Sequence, residues 1–289
     1  MIHDRLPESL EIDAVPTERL VEIIQNEDRK IADAVGREAK QIARAIDGIA
    51  ERLQAGGRLY YVGAGTSGRL AMVDASELPP TYGVPHDLVT VIMAGGENAF
   101  FSAAEGAEDD DEAAIAEVER LVRPEDAVVG LAASGSTPYT VAAIRKANLI
   151  GALTVGITSV AGSALTRECD IPIVPQTGPE VILGSTRMKS GTAQKLVLNT
   201  ISTGVMIRLG KVYSNLMVEM PATNIKLRGR AALMVQLAAE VDRSAAEAAL
   251  AASGANVKTA IVIAKLGVDR EEAERRLAEA GGHLRKVLG

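Results

Sequence analysis

The chain has 289 residues, 47% of them hydrophobic and 24% charged, a globular composition that excludes wholesale disorder. A formal net charge of −7, with five Tyr, two Phe and no Trp, argues against a nucleic-acid footprint and against sugar binding on aromatic faces. One cysteine, Cys169, cannot form an internal disulfide, and the N-terminus shows no signal-peptide pattern, so the chain reads as cytoplasmic.

The length suits one large domain plus an appendage, and the pattern divides at about residues 56/57 and 226/227. Residues 1–56 read as helical. Thr17 is the expected N-cap of a first helix carrying Leu20, Ile23 and Ile24. A second stretch, Ala32–Leu53, places Val35, Ile42, Ile46 and Ile49 on one face and stops at Gly56-Gly57. From Arg58, short apolar runs alternate with helices: Arg58–Gly63, Leu88–Met93, Ala127–Ala132, Leu153–Ile157 and Ile171–Val174. Their near-continuous hydrophobicity predicts an α/β fold, a doubly wound five-stranded parallel sheet buried on both faces. Met188–Leu209 reads as a long closing helix. The uncharged run Ala147–Thr166 has the length of a membrane span, but its glycines, serines and threonines favour a buried strand between turns, and no membrane is expected.

The tail, 227–289, is helical and internally repeated. Val241-Asp242-Arg243, with Ala246, Glu247, Leu250 and Gly254, recurs twenty-seven residues later as Val268-Asp269-Arg270, with Ala273, Glu274, Leu277 and Gly281. Two tandem helix-turn-helix units follow from this, with Asp269 and Glu272 patterned as a capping box. Two repeats are too few for a solenoid, and packing is their expected role.

Three loops concentrate chemistry. Gly63-Ala64-Gly65-Thr66-Ser67-Gly68 satisfies GxGxxG between a strand and a helix, yet lacks the acidic residue some twenty positions on that a dinucleotide ribose requires. Thr66 and Ser67 at a helix start suit a small phosphate instead. Ser134-Gly135-Ser136-Thr137, ahead of Pro138, repeats the arrangement on the third strand, and a pair of such loops on one sheet points to a phosphosugar. Gly178–Lys189 adds Glu180, Ser185, Arg187 and Lys189 before the long helix. Two cations there oppose the helix dipole and call for an anionic partner, ligand or carboxylate. Glu77 is expected to end the helix that follows the first strand, immediately before a Leu78-Pro79-Pro80 stop, and Glu108 lies in a segment, Glu105–Glu112, with six acidic residues in eight. A solvated helix start explains most of such a run. His3, His86 and His283 have no ligand spacing, so no metal is expected.

GAGTSGRLAMVDASELPPTYG, EGAEDD, AASGSTPY and GPEVILGSTRMKSGTAQKLVLNTIST together resemble the N-acetylmuramic acid 6-phosphate etherase family, from about Asp13 to the C-terminus. The last segment is similar to one shared with the glucokinase regulatory proteins, non-catalytic cousins. The resemblance implies a sugar isomerase domain and a lyase of cell-wall sugar recycling. That lyase removes D-lactate from C3 of N-acetylmuramic acid 6-phosphate and leaves N-acetylglucosamine 6-phosphate, without a cofactor. It also implies Glu77 as the acid that protonates the ether oxygen and Glu108 as the second catalytic carboxylate, the base at C2.

A sugar-phosphate-sensing regulator is the alternative of another class, but those proteins resemble two sugar isomerase domains in series and this chain has room for one. An aldose–ketose isomerase would keep the Ser/Thr loops and need neither GSTRMK nor the acidic run. A homodimer is expected as well. A helix starting near Ser67 would put Glu77 about 15 Å from the phosphate loop. A hexose spans only about half that distance from C6 phosphate to C3. A two-fold partner could supply Glu77 to a shared active site.

Overall fold

The computed structural model describes residues 2, 4–102, 104–220 and 225–289, the side chains of 225, 226 and 228 excepted. His3 of the sequence reading lies outside the described residues. The residues pack as two units, 1–75 with 87–202, and 76–86 with 203–289. This grouping differs from the divisions at 56/57 and 226/227, because the N-terminal helices pack on the sheet.

In the first unit, α1 (Thr17–Gly36) and α2 (Ala39–Gln54) lead into β1 (Leu59–Gly63) and α3 (Gly65–Tyr82). There follow β2 (Val89–Met93), α4 (Asp111–Leu121), β3 (Ala127–Leu131), α5 (Pro138–Ile150), β4 (Leu153–Ile157), α6 (Ala164–Glu168), β5 (Ile171–Ile173) and α7 (Lys189–Arg208); α3 from Ser76 on and α7 from Thr203 on group with the second unit. The five strands form one parallel sheet in the order β2-β1-β3-β4-β5. Every residue of β1 and β3 is buried, as the unbroken apolar runs require of strands covered on both faces. Tyr60, Val62, Val128, Ile144 and Val118 belong to one core cluster between the sheet, α4 and α5.

The chain turns to β2 on one side of β1 and returns on the other as β3. The loops leaving β1 and β3 therefore diverge at the carboxyl edge of adjacent strands and open a crevice, where such sheets hold ligands. Close packing sharpens it. A Cβ on Gly68 would stand 2.1 Å from Met93 Sδ and 2.8 Å from the Gly63 oxygen, so only glycine lets α3 begin so near the sheet.

Several local readings change. Ala32–Leu53 is not one helix: α1 ends at Gly36 and α2 begins at Ala39, while the Glu38 carboxylate between them accepts the Val174 N–H at 3.0 Å. Pro16, not Thr17, holds the N-cap position of α1, and no side chain caps it. Helix α3 does not stop at Pro79-Pro80. It runs through both to Tyr82, forgoing the two hydrogen bonds that the missing N–H groups would have made. The run Ala147–Thr166 resolves into the end of α5, β4, loops and the start of α6, and among the described residues no single helix is long and apolar enough to cross a membrane.

The second unit contains a two-residue ribbon, β6 (Val212–Tyr213) against β7 (Leu216–Met217), then α8 (Ile225–Ala239) and four short helices. These are α9 (Arg243–Ala252), α10 (Val257–Leu266), α11 (Arg270–Glu279) and α12 (Leu284–Leu288). The repeat is visible atom by atom. Asp242 and Asp269 cap α9 and α11 by accepting the N–H of Ala245 and Glu272, at 2.8 and 2.9 Å. Gly254 and Gly281 both take positive φ, +68° and +61°, in the turns that follow. The capping box is only half made, since the Glu272 carboxylate accepts from Arg275 and Arg276 and not from the cap residue's backbone. Burial of Val235, Ala246, Ala260, Ile261 and Ala273 in one cluster gives the repeats a packing role.

Candidate active site

The crevice is a cleft of about 370 Å³ walled by the two hydroxyl-rich loops. Gly65, Thr66 and Ser67 come from the start of α3, Ser134, Ser136 and Thr137 from the loop before α5, and Glu108 from the segment after β2. These sequence-predicted residues are thus brought together. Gly135 sits within the second loop at φ +66°, and a Cβ there would meet Ser163 Oγ at 2.1 Å, so the loop's path depends on glycine.

Hydrogen bonding decides what each hydroxyl can offer. Ser134 Oγ accepts from Ser136 Oγ at 3.0 Å and from Ser136 N at 3.2 Å. Both acceptor positions are taken, and its own hydrogen remains for an anion. Thr137 stands at the N-cap of α5 without making a side-chain cap bond, which leaves its hydroxyl available. Ser67 differs: its hydroxyl donates to Gln194 Oε1 at 2.9 Å, an interior bond to α7. What the first loop offers an anion is accordingly the Thr66 hydroxyl and the N–H groups of α3 ahead of Gly68, whose own N–H donates to the Ala64 carbonyl at 3.3 Å.

Glu108 owes its place to the acidic run dividing its duties. Gly106, at φ +74°, starts a 3-10 turn over Ala107–Asp109 that carries Glu108 exposed on the cleft. Asp110 caps α4 through the Ala113 N–H at 2.9 Å, and Asp111 and Glu112 occupy the first turn, where the helix dipole favours them. The solvated-helix reading is right for three of the acids. Glu77 lies exposed on α3, twelve residues after Gly65, and groups with the second packing unit.

The third loop corrects an expectation. Glu180 is wholly buried, and its two carboxylate oxygens accept the N–H groups of Lys189 and Ser190, each at 2.9 Å, at the start of α7. Lys189, 1% exposed, pairs through Nζ with Glu27 of α1 at 2.6 Å. The cation's anionic partner is therefore a carboxylate of the chain itself, and neither Glu180 nor Lys189 lines the cleft. Ser185 and Arg187 do not line it either; Thr186 between them does.

Burial alone would raise the Glu27 carboxyl, but hydrogen bonds from Lys189 and Lys30 outweigh it and hold it below the ordinary carboxylate value. Asp74, a buried residue of α3, accepts from Tyr61 on β1 and from Lys195 and Ser202 on α7. Burial, then Asp74, pushes the Tyr61 phenol well above its usual range, so it stays a neutral donor. Sequence inspection passed over Thr186, Gln194 and Asp74. Only Asp74 left a signal, a charge one turn ahead of Glu77 between Val73 and Ala75.

Comparison with known proteins agrees with this geometry. A profile described as the glucokinase regulatory protein N-terminal SIS domain matches residues 41–148, and the SIS domain profile matches residues 103–203. Among solved structures, a phosphoheptose isomerase from Francisella tularensis superimposes with a TM-score of 0.51 at 18% identity, covering 66% of this chain and 96% of that one. The phosphoheptose isomerase from Neisseria gonorrhoeae gives 0.50 at 16%, covering 65% and 97%. At such identities these two share the fold. N-acetylmuramic acid 6-phosphate etherases are far more similar. That of Symbiobacterium thermophilum is 59% identical over 91% of this chain and 88% of its own length. That of Rubrobacter xylanophilus is 51% identical over 99% and 94%. With half or more of the residues shared along nearly the whole of both chains, and the four motif segments gathered on one sheet edge or its helices, this chain belongs to the N-acetylmuramic acid 6-phosphate etherase family.

Proposed function

We propose that the cleft between the α3 and α5 loops is where this lyase of cell-wall sugar recycling binds N-acetylmuramic acid 6-phosphate and releases D-lactate. The observation that carries this reading is the exposed Glu108 carboxylate on the same cleft as two hydroxyl-rich helix starts. The phosphate takes the Ser134 hydrogen, the Thr66 and Thr137 hydroxyls and the free N–H groups, without a cage of cations.

Ring opening exposes a C1 aldehyde and acidifies the C2 proton. Glu108 removes that proton, Glu77 protonates the C3 ether oxygen as lactate leaves, and water adds to C3 of the unsaturated aldehyde. Purified protein incubated with the phosphorylated ether is expected to yield lactate and N-acetylglucosamine 6-phosphate in equal amounts. An isomerised sugar without lactate overturns the reading. Ser134→Ala removes a charge-assisted contact to a remote group and is expected to raise KM about tenfold or more; unchanged kinetics would remove Ser134 from the phosphate site.

The working unit in this proposal is a homodimer with mixed sites. From Gly65, Glu77 lies about 18 Å along a straight α3, further than a hexose 6-phosphate reaches from phosphate to C3. Glu77 shares its helix face with Val73, one turn earlier, a residue 51% exposed. Mixing Glu77→Gln subunits with Glu108→Gln subunits is expected to restore one of the two sites in each heterodimer. No recovery, with heterodimers demonstrated, places Glu77 in its own chain's site.

A further inference from the structure

Beyond Glu108 the cleft continues into a second hollow of about 220 Å³, between the start of α3 and the segment after β2. The two share Ala64, Gly65 and Glu108. The second is walled mainly by small apolar side chains, Ala94, Ala99, Ala104 and Ala107 among them, and by one cation, Arg69. That guanidinium is held in a fixed pose. Its Nε donates to the Phe100 carbonyl at 3.2 Å, and its Nη2 to the carbonyls of Ala99 and Ser102 at 2.9 and 3.1 Å. Three of its five N–H groups are thereby used on neutral acceptors, and the two on Nη1 remain.

Among the described residues no carboxylate pairs with Arg69, although Glu105 and Glu108 line the same hollow. A half-buried guanidinium with neutral partners and an open edge lacks a counter-charge, and groups of this kind are normally paired. Planar N–H pairs suit carboxylates best.

We propose that this hollow is the leaving-group subsite: Arg69 binds the lactyl carboxylate of the substrate, and the alanine wall takes the lactyl methyl. The proposal rests on the assignment of the phosphate and Glu108 to the main cleft. With the phosphate among the hydroxyl loops and C2 at Glu108, the substituent on C3 is carried past Glu108, into the space that Arg69 faces. Arg69 in this role selects the ether by its acid group, not by its sugar.

The test compares N-acetylmuramic acid 6-phosphate with its lactyl carboxamide, which keeps shape and loses charge. The unsubstituted protein is expected to prefer the acid by about tenfold or more in kcat/KM, the range of a hydrogen bond to a charged group. Arg69→Gln is expected to bring that preference close to unity, and Arg69→Lys to keep part of it. Solvent-proton exchange at C2 of N-acetylglucosamine 6-phosphate, which carries no lactyl group, is expected to persist in Arg69→Lys. No acid preference in the unsubstituted protein overturns the subsite. So does an equal loss on acid and amide in both variants, which is what loop anchoring alone would produce. Absence of C2 exchange in the unsubstituted protein speaks instead against the main-cleft assignment, so the two failures are distinguishable.

Discussion

Glu108→Gln is expected to lower etherase turnover by about 10²–10⁴-fold, the range that loss of one general acid or base produces. The glutamine is nearly isosteric, and Glu108 is exposed and makes no structural cap of its own, so the fold should be retained. The variant should also lose exchange of the C2 proton with solvent, because the step proposed for Glu108 is abstraction at C2. Glu77→Gln is expected to reduce lactate release to a similar extent while retaining exchange, since C2 deprotonation precedes departure of the ether oxygen. Nuclear magnetic resonance in deuterated water reads both. Exchange that survives in Glu108→Gln and vanishes in Glu77→Gln would reverse the two roles.

Glu27→Leu is expected to cost about 3–5 kcal/mol of stability, because it strands the Lys189 ammonium, 1% exposed, without a counter-charge. Lys189→Met should cost less, since Glu27 keeps Lys30 at 2.5 Å, a partner reaching in from solvent. The double variant is expected to lie near the unsubstituted protein, as apolar replacement of a buried pair often does. Denaturant unfolding of the four proteins gives the cycle, and a double variant as unstable as the sum of the singles would refute it.

The sign of the pH dependence follows from Glu27, whose carboxyl is held below its ordinary 4.5 in the folded chain. Its stabilisation is present above that ordinary value and is lost as pH falls through the lowered one. Loss of stability in acid should therefore be shallower in the double variant. The effect should also reach the cleft, because Lys189 opens α7 and Thr186 stands on the loop leading into it.

What could be read from the chain alone was whatever depends on local pattern. Five apolar runs, each ending in a Gly/Ser/Thr loop, specify buried parallel strands with ligand loops at one edge, because a strand covered on both faces has no polar alternation to hide. The twenty-seven-residue repeat and the Asp269 cap were legible for the same reason, caps being set within four residues of sequence. Helix boundaries at Gly36 and Pro79 were less so, since tertiary packing overrode the local stop signals in α3 and introduced a break between α1 and α2.

Only the tertiary structure decided the partners of charge. Nothing near Lys189 in sequence announces Glu27, 162 residues away, and so a buried ion pair and a helix cap, Glu180, read like ligand contacts. Ser67 looked like a phosphate donor until Gln194, 127 residues on, took its hydrogen. Arg69 gave no signal in the sequence; three carbonyls of the segment after β2 hold its guanidinium where it lines the second hollow. A residue's type tells what bonds it can make; which bonds it has left for a ligand depends on neighbours that the fold brings from far along the chain.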